Sequence, residues 1–317
     1  MIQYFKTTEE AEIEQMTAYQ KGCWINVSDP NEAEIQQLLT QFNMPRDYLT
    51  DVLDEDEVSR IEQYAREDKE ATLVLIQYPH IVPSSAGYPM YDSFPLAIIL
   101  LQDTILTVSK SKPHFIEEMM LGNVKMKFKT EAAAHFMARI LWSISASYLK
   151  FLKIIDHETN KLEAQLKEST KNEQLFALLG LQKSLTHFSV ALSSNHDVLA
   201  KVQQSQRFVE DPLLASEIND VLVENNQAIK TTKIYTQILS DLGTLFSSVV
   251  SNNLNIIMKV LTSLTIVLTI PTIIGGIYGM NVPIPNADRA DAFWLVMALI
   301  FFLTGITVWI LKRHDFF

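Results

Sequence analysis

No residue from Val260 to Ala287 carries a charge, and none from Ala292 to Leu311 does. Each stretch supplies about 20 predominantly apolar residues, the number a helix needs to cross the ~30 Å hydrocarbon core of a bilayer. Helices buried in a soluble core seldom stay uncharged for so long. The pattern therefore predicts two membrane spans, about 259–279 and 292–312, and the rest of the chain has to be arranged around them.

The flanks predict an orientation. Lys259 precedes the first span, Lys312 and Arg313 follow the second, and the short connection holds Asp288, Arg289 and Asp291. Positive charge concentrates on the cytosolic side, which puts both termini inside and the connection outside, in the plasma membrane. Met1–Met16 carries Glu9, Glu10, Glu12 and Glu14 without an apolar run, so it does not read as a signal peptide. The segment ahead of the spans is expected in the cytosol. The lone cysteine, Cys23, forms no intrachain disulfide and fits a reducing compartment. Residues 259–317 balance at +1 against −11 for the whole chain, which leaves −12 for residues 1–258. That excludes a basic nucleic-acid-binding face and suits a protein that handles cations.

Ahead of the spans the chain reads first as mixed α/β and then as helix. Gly22–Val27 is predicted as a strand. Asp29 is the expected cap of a helix opened by Pro30, with Ile35, Leu38, Leu39 and Phe42 at helical spacing. Met44-Pro45 starts a second helix holding Tyr48, Leu49 and Val52. Strands are expected at Val58–Ala65, Ala71–Ile81, Ser93–Leu101 and Thr104–Ser109, with Pro83, Gly87 and Pro89 in the longest loop and a tight turn at Gln102-Asp103. From Thr130 the pattern is helical, with breaks near Ser169-Thr170 and Asp211-Pro212. Asp211 caps a helix that runs from Leu213 through the first span, about 65 residues or ~100 Å. A helix of that length is stable only against other long helices or copies of itself.

Along that helix, steps alternating between three and four pick out Ser248, Ser251, Asn255, Met258, Thr262, Thr265, Thr269, Thr272 and Gly276. A period near 3.5 traces the face that a helical bundle turns inward, and such seams are normally apolar. Here the seam is mostly hydroxyl and amide, while Leu264, Ile266, Val267, Leu268 and Ile270 occupy other faces. One reading has each hydroxyl bonding its own backbone or a neighbouring helix. The other has the stripe lining a wet pore, which two spans cannot enclose and a ring of identical subunits can. Met258 and Leu261 offer a hydrophobic constriction at the cytosolic end, or ordinary bundle packing.

The first span ends in Gly275-Gly276-Ile277-Tyr278-Gly279-Met280-Asn281. Tyr278-Gly279-Met280-Asn281 at the outer end of the first of two C-terminal spans resembles the CorA family of magnesium transporters, where Gly-Met-Asn is the signature. Met258-Lys259-Val260-Leu261-Thr262, Leu49-Thr50-Asp51-Val52-Leu53 and Arg60-Ile61-Glu62 add to the likeness, which covers the chain in order. The resemblance implies an α+β membrane protein and a funnel-shaped homopentamer. A cytosolic α/β domain (1–129) and long cytosolic helices (130–257) would lead to a transmembrane domain (258–317), the stalk helix continuing into the pore. It implies that Tyr278, Gly279, Met280 and Asn281 form the mouth, with the Asn281 amide and the Gly279 carbonyl facing the entering ion. It also implies closure by cytosolic Mg²⁺ bound between subunits, at Asp51 and Asp220. Two features depart from familiar members: Thr269 stands where some relatives have methionine, and the outer loop Val282–Asp288 lacks a glutamate, leaving Asp288 and Asp291 to concentrate cations.

Mg²⁺ gives up its water reluctantly, so a mouth that hydrogen-bonds the hydrated ion and then releases it suits this cargo. The expected function is a passive, potential-driven Mg²⁺ channel, with Mg²⁺ as both cargo and regulator. Its partners are divalent cations, the bilayer and further copies of the chain. No Gly-x-x-x-x-Gly-Lys motif provides for nucleotide-driven pumping, and His157-Glu158 lacks the second histidine of a zinc-protease helix, so no enzyme is expected. Transport of Zn²⁺, Ni²⁺ or Co²⁺ is the alternative, though no His or Cys cluster flanks the spans. A non-transporting, membrane-anchored helical scaffold is the other.

Overall fold

Alternation along the strands explains the architecture of the N-terminal part. In the computed structural model, which describes residues 1–66, 69–83, 90–122, 127–168, 172–281 and 291–314, Trp24, Val74, Ile98 and Ile105 face one apolar cluster, and their neighbours Ile25, Leu75, Ile99 and Leu106 face another. Period-two side chains buried on both faces require covering layers on both sides of the sheet.

The elements run β1 (Ile2–Thr7), β2 (Ile13–Met16), β3 (Trp24–Ser28), α1 (Glu32–Phe42), α2 (Asp47–Thr50) with a following 3₁₀ turn at Asp51–Leu53, β4 (Arg60–Arg66), β5 (Lys69–Val82), β6 (Met90–Leu100), β7 (Ile105–Ser109), α3 (His114–Met120), α4 (Ala133–Glu168), α5 (Asn172–Gln204), α6 (Gln206–Val209), α7 (Pro212–Tyr278) and α8 (Ala292–Arg313). The sheet order is β2-β1-β3-β7-β6-β5-β4. Only β3–β7 is parallel, in register Trp24↔Ile105 to Ser28↔Ser109; the other pairs are antiparallel. One face is covered by α1 and α2 through Ile35, Leu38, Tyr48, Leu49 and Val52. The other is covered by α4 and α5, and α3 and the first part of α7 join the same core, through residues such as Ile116, Phe136, Leu185 and Ile218.

The chain divides into two compact units, Met1–Gly243 and Thr244–Phe317, and the boundary falls within α7. The first unit is a mixed α/β domain whose core runs without interruption from the sheet into the long helices. The second comprises the remainder of α7 and α8.

Three local expectations change. Asp29 is not the cap of α1, because it sits at φ 44° with its N–H donated to Ser109 O on β7. Asn31 caps instead, in a reciprocal box: its Oδ1 accepts from Glu34 N at 2.9 Å and Glu34 Oε2 accepts from Asn31 N at 3.0 Å. The second helix begins at Asp47 rather than at Met44-Pro45 and tightens into the 3₁₀ turn, with Tyr48, Leu49 and Val52 buried as expected. The glutamate-rich segment at the start holds two strands, with β2 on the sheet edge, where charged side chains are tolerated. Asp211 does cap α7: its Oδ1 accepts from Leu213 N at 2.9 Å and Leu214 N at 3.2 Å. Those backbone donors hold its carboxyl below the usual range. Gly87, Pro89, the break at Ser169-Thr170 and the loop Val282–Asp288 lie outside the described residues.

Candidate functional site

The second unit is best understood from which side chains its helices cover. On α7 beyond Lys259 the covered or half-covered positions are Ser263, Val267, Ile270, Pro271 and Ile274. On α8 they are Ala292, Val296, Met297, Ile300, Thr304, Thr307 and Leu311. Each set recurs at steps of three and four, so each is one helix face, and these are the faces the two helices offer one another.

The hydroxyl stripe lies elsewhere. Ser251, Asn255, Met258, Leu261, Thr262, Thr265, Thr269, Thr272 and Gly276 are all exposed. At 100° per residue their mean direction is roughly 160° from that of the α8-covered face. The stripe is therefore left bare by α8, while Leu264, Ile266 and Leu268 fill the flanks.

Three of the stripe's threonines already use their hydroxyl hydrogens. Thr265 Oγ1 donates to Leu261 O at 2.8 Å, Thr269 Oγ1 to Thr265 O at 2.7 Å and Thr272 Oγ1 to Leu268 O at 2.9 Å. The backbone-bonded and wet-pore readings are thus compatible. With the hydrogen turned back to the helix, each oxygen presents its lone pairs outward. A hydrated cation presents water hydrogens outward, which are the complement of such a surface.

At the far end α7 closes at Tyr278. Gly279 N donates to Gly275 O at 3.0 Å, and a Cβ on Gly279 would lie 3.2 Å from that same oxygen. A glycine there lets the chain turn off the helix closely. Met280 and Asn281 follow, both exposed, as is Tyr278. The four residues of the expected mouth thus sit at the tip of the helix that carries the stripe. Asp291 directly precedes α8, and Asp288 lies outside the described residues.

The two expected regulatory carboxylates belong to the first unit. Asp51, in the 3₁₀ turn after α2, has Oδ2 2.8 Å from the Arg60 guanidinium. The same guanidinium reaches Glu57 and, at 2.5 Å, Glu62. Three carboxylates around one arginine form a compact ionic knot, so a cation arriving at Asp51 competes with a resident one. Arg60 stands nine residues beyond Asp51 at the start of β4, and spacing alone does not reveal the pairing. Asp220 lies exposed on α7. A cleft of about 340 Å³ beside the knot is lined in part by Glu55, Asp56, Asp92 and His187, with His187 Nδ1 2.8 Å from Asp92 Oδ1. Among the described residues, no group of three or more His, Cys, Asp or Glu is arranged to hold a metal ion.

Among the described residues, three helices are long and apolar enough to cross a membrane, namely α5, α7 and α8. The apolar window of α5 is 44% buried inside the protein, against 11% and 6% for the other two. Its Leu181, Leu185, Phe188 and Leu192 are part of the core beneath the sheet.

The sequence profile of the family described as CorA-like Mg²⁺ transporter protein matches residues 19–313. The cobalt/magnesium transport protein CorA of Methanocaldococcus jannaschii is 28% identical over 294 residues, covering 92% of this chain and 90% of its own. The protein of the same description from Thermotoga maritima is 22% identical over 285 residues, covering 87% and 78%. The complete structure of the CorA magnesium transporter from M. jannaschii superposes with a TM-score of 0.81 at 24% identity, covering 100% of this chain and 99% of that one.

Proposed function

This chain belongs to the CorA family of divalent-cation transporters, and from that premise we propose that it is a passive Mg²⁺ channel driven by the membrane potential and closed by cytosolic Mg²⁺. The observation that carries the reading is the stripe: an exposed row of lone-pair oxygens on α7, opposite the face α8 covers, ending at Tyr278-Gly279-Met280-Asn281. One copy leaves that row bare, so the functional unit is a ring of copies, a pentamer by family resemblance, with α7 innermost.

Two helices, α7 from about Lys259 and α8, cross the bilayer, and α5 stays in the soluble core because its apolar face is already occupied by the sheet. Both termini lie in the cytosol, as the flanking Lys259, Lys312 and Arg313 favour. The layout is a cytosolic α/β domain over 1–129, long cytosolic helices over 130–257 and a transmembrane domain over 258–317. Asn281 and the Gly279 carbonyl meet the hydrated ion, Thr262, Thr265, Thr269 and Thr272 pass it inward, and Met258 and Leu261 narrow the exit. Mg²⁺ bridging Asp51 of one copy to Asp220 of the next closes the ring. The relatives whose descriptions name both cobalt and magnesium keep Co²⁺ as the second reading of the cargo.

The test is ion uptake into liposomes holding the purified protein, comparing Mg²⁺, Co²⁺, Ni²⁺ and Zn²⁺. Mg²⁺ uptake that falls at least tenfold in Asn281→Ala is the expected result. Uptake unchanged in that variant would sink the mouth assignment, and absence of flux for every ion would leave the scaffold reading standing.

A further inference from the structure

Proline 271 sits inside α7. It has no N–H to give the carbonyl four residues back, so Val267 O loses its intrahelical donor. In hydrocarbon an unpaired backbone carbonyl is costly, and proline-containing spans recover it through a neighbouring helix or a hydroxyl side chain.

An unpaired hydroxyl lies in the same interface. Thr304 Oγ1 on α8 is buried and has no hydrogen-bond partner. Its neighbours behave differently: Thr307 Oγ1 donates to Leu303 O at 2.9 Å, as Thr265, Thr269 and Thr272 do to carbonyls on α7. Thr304 alone among these keeps its hydrogen uncommitted, in the place where that is most costly.

The covered faces supply the register. Successive membrane-crossing helices run antiparallel, and the covered positions then match in reverse order: Ile274 with Val296, Ile270 and Pro271 with Ile300, Val267 with Thr304, Ser263 with Thr307. The stretch Val296–Thr307 matches Ser263–Ile274 in length, the covered face of α8 extending beyond it to Ala292 and Leu311, and in this register Val267 falls opposite Thr304.

We propose that Thr304 is a positioning residue for the pore-lining helix: its hydroxyl donates to the Val267 carbonyl that Pro271 leaves unpaired, tying α8 to the proline hinge of α7. In the conformation described here the bond is open. It closes when the segment of α7 around Pro271 moves toward α8. The stripe residues on the far side, Thr269 and Thr272, bracket the hinge and move with it, so the bond selects between two settings of the pore wall. This rests on reading α7 and α8 as adjacent spans; it does not need the cargo to be Mg²⁺.

The test is a double-mutant cycle on the full chain, read in two ways: Mg²⁺ uptake into proteoliposomes and thermal unfolding in detergent. Thr304→Val, which keeps shape and removes the hydroxyl, is expected to change the uptake rate roughly three- to tenfold and to lower the melting temperature by a few degrees. Thr304→Ser is expected to retain both. In a Pro271→Ala background, where residue 271 again donates to Val267 O, Thr304→Val is expected to have no effect. An equal effect of Thr304→Val in both backgrounds, or a serine variant as impaired as the valine one, overturns the proposal. Val267→Cys with Thr304→Cys, made in a Cys23→Ser chain, gives a second arm that needs no proline variant. A disulfide forming under mild oxidation supports the pairing, and its failure to form refutes it. Should wild-type protein carry no ion at all, the transport reading falls, and the unfolding and crosslinking arms still decide this one.

Discussion

At the scale of single residues, charge is spent on holding turns and caps together. Arg46 donates to both carboxylate oxygens of Glu32, at 2.8 and 2.6 Å, and ties the start of α1 to the start of α2. Those hydrogen bonds, with a further one from Gln36, hold the Glu32 carboxyl down at about 2. A carboxyl whose folded value is depressed contributes stability above its unfolded value near 4.5, and that contribution disappears as pH falls toward 2. The melting temperature of Arg46→Ala should therefore lie below that of the wild type at pH 7 and converge with it as pH drops from about 4.5 to 2. A difference that persists unchanged across that window would mean the pair contributes nothing through ionisation. Arg60 matters in another way, since it already neutralises Asp51. If Asp51 binds regulatory Mg²⁺, Arg60→Gln should lower the Mg²⁺ concentration needed to protect the protein from protease by roughly fivefold, the equivalent of ~1 kcal/mol for a partly exposed ion pair. Asp51→Ala should abolish the protection. Protection retained in the alanine variant would remove Asp51 from the regulatory scheme.

Elements in this protein are joined by buried polar clamps as well as by apolar packing. Strand β4 pairs with β5 only as far as Arg60↔Leu75, and Gln77, two residues further on, faces Pro95 of β6, which has no N–H. The Asn195 side chain of α5 steps into that position: its Nδ2 donates to Gln77 O at 2.8 Å, and its Oδ1 accepts from Gln77 N at 2.9 Å and Ser59 Oγ at 2.7 Å. The amide extends the ladder past the end of β4 and fixes the rotation of α5 under the sheet. Asn195→Ala leaves a strand N–H and C=O unpaired in a buried setting, at a cost of roughly 2–4 kcal/mol. The expected outcome is a clear drop in melting temperature with Asn281-dependent uptake preserved at permissive temperature. A variant as stable as the wild type would show that water replaces the amide. The same rotation buries one side of α5, which is why an apolar helix of spanning length belongs to the core.

For the molecule as a whole, the energy source is the sharpest question. A divalent ion moving down an inside-negative potential gains about 4.6 kcal/mol per 100 mV, twice the single-charge value. A passive pore therefore supports equilibrium accumulation of Mg²⁺ on the order of 10³-fold at 100 mV, with no nucleotide present. Proteoliposomes given a potassium diffusion potential should accumulate Mg²⁺ to a ratio that rises about tenfold for each ~30 mV of that potential. A requirement for ATP, or uptake indifferent to the potential, would contradict the channel reading. Residues 1–258, net −12, add a field that favours cations and opposes anions, on the cytosolic side in the proposed orientation.

Much of this was legible in the sequence, for identifiable reasons. That α8 and the end of α7 are long and apolar enough to cross a membrane was legible because hydrocarbon tolerates no charge over its thickness, and a charge-free run of that length has few other uses. The hydroxyl stripe was readable because helical periodicity is fixed by the backbone, so spacing alone puts Thr262, Thr265, Thr269 and Thr272 on one side. The tip motif was readable because its four residues are contiguous. Other features were decided only in three dimensions. Asn31 displaced Asp29 as the cap because β7 takes the Asp29 backbone, a partner 80 residues away. Strand β1 is held between β2 and β3, and the four residues of β2, Ile13-Glu14-Gln15-Met16, give too short a local signal to mark a strand. The Asn195 clamp is likewise a meeting between residues far apart in the chain. Local spacing determines which face a side chain occupies; only the packed structure determines what that face meets.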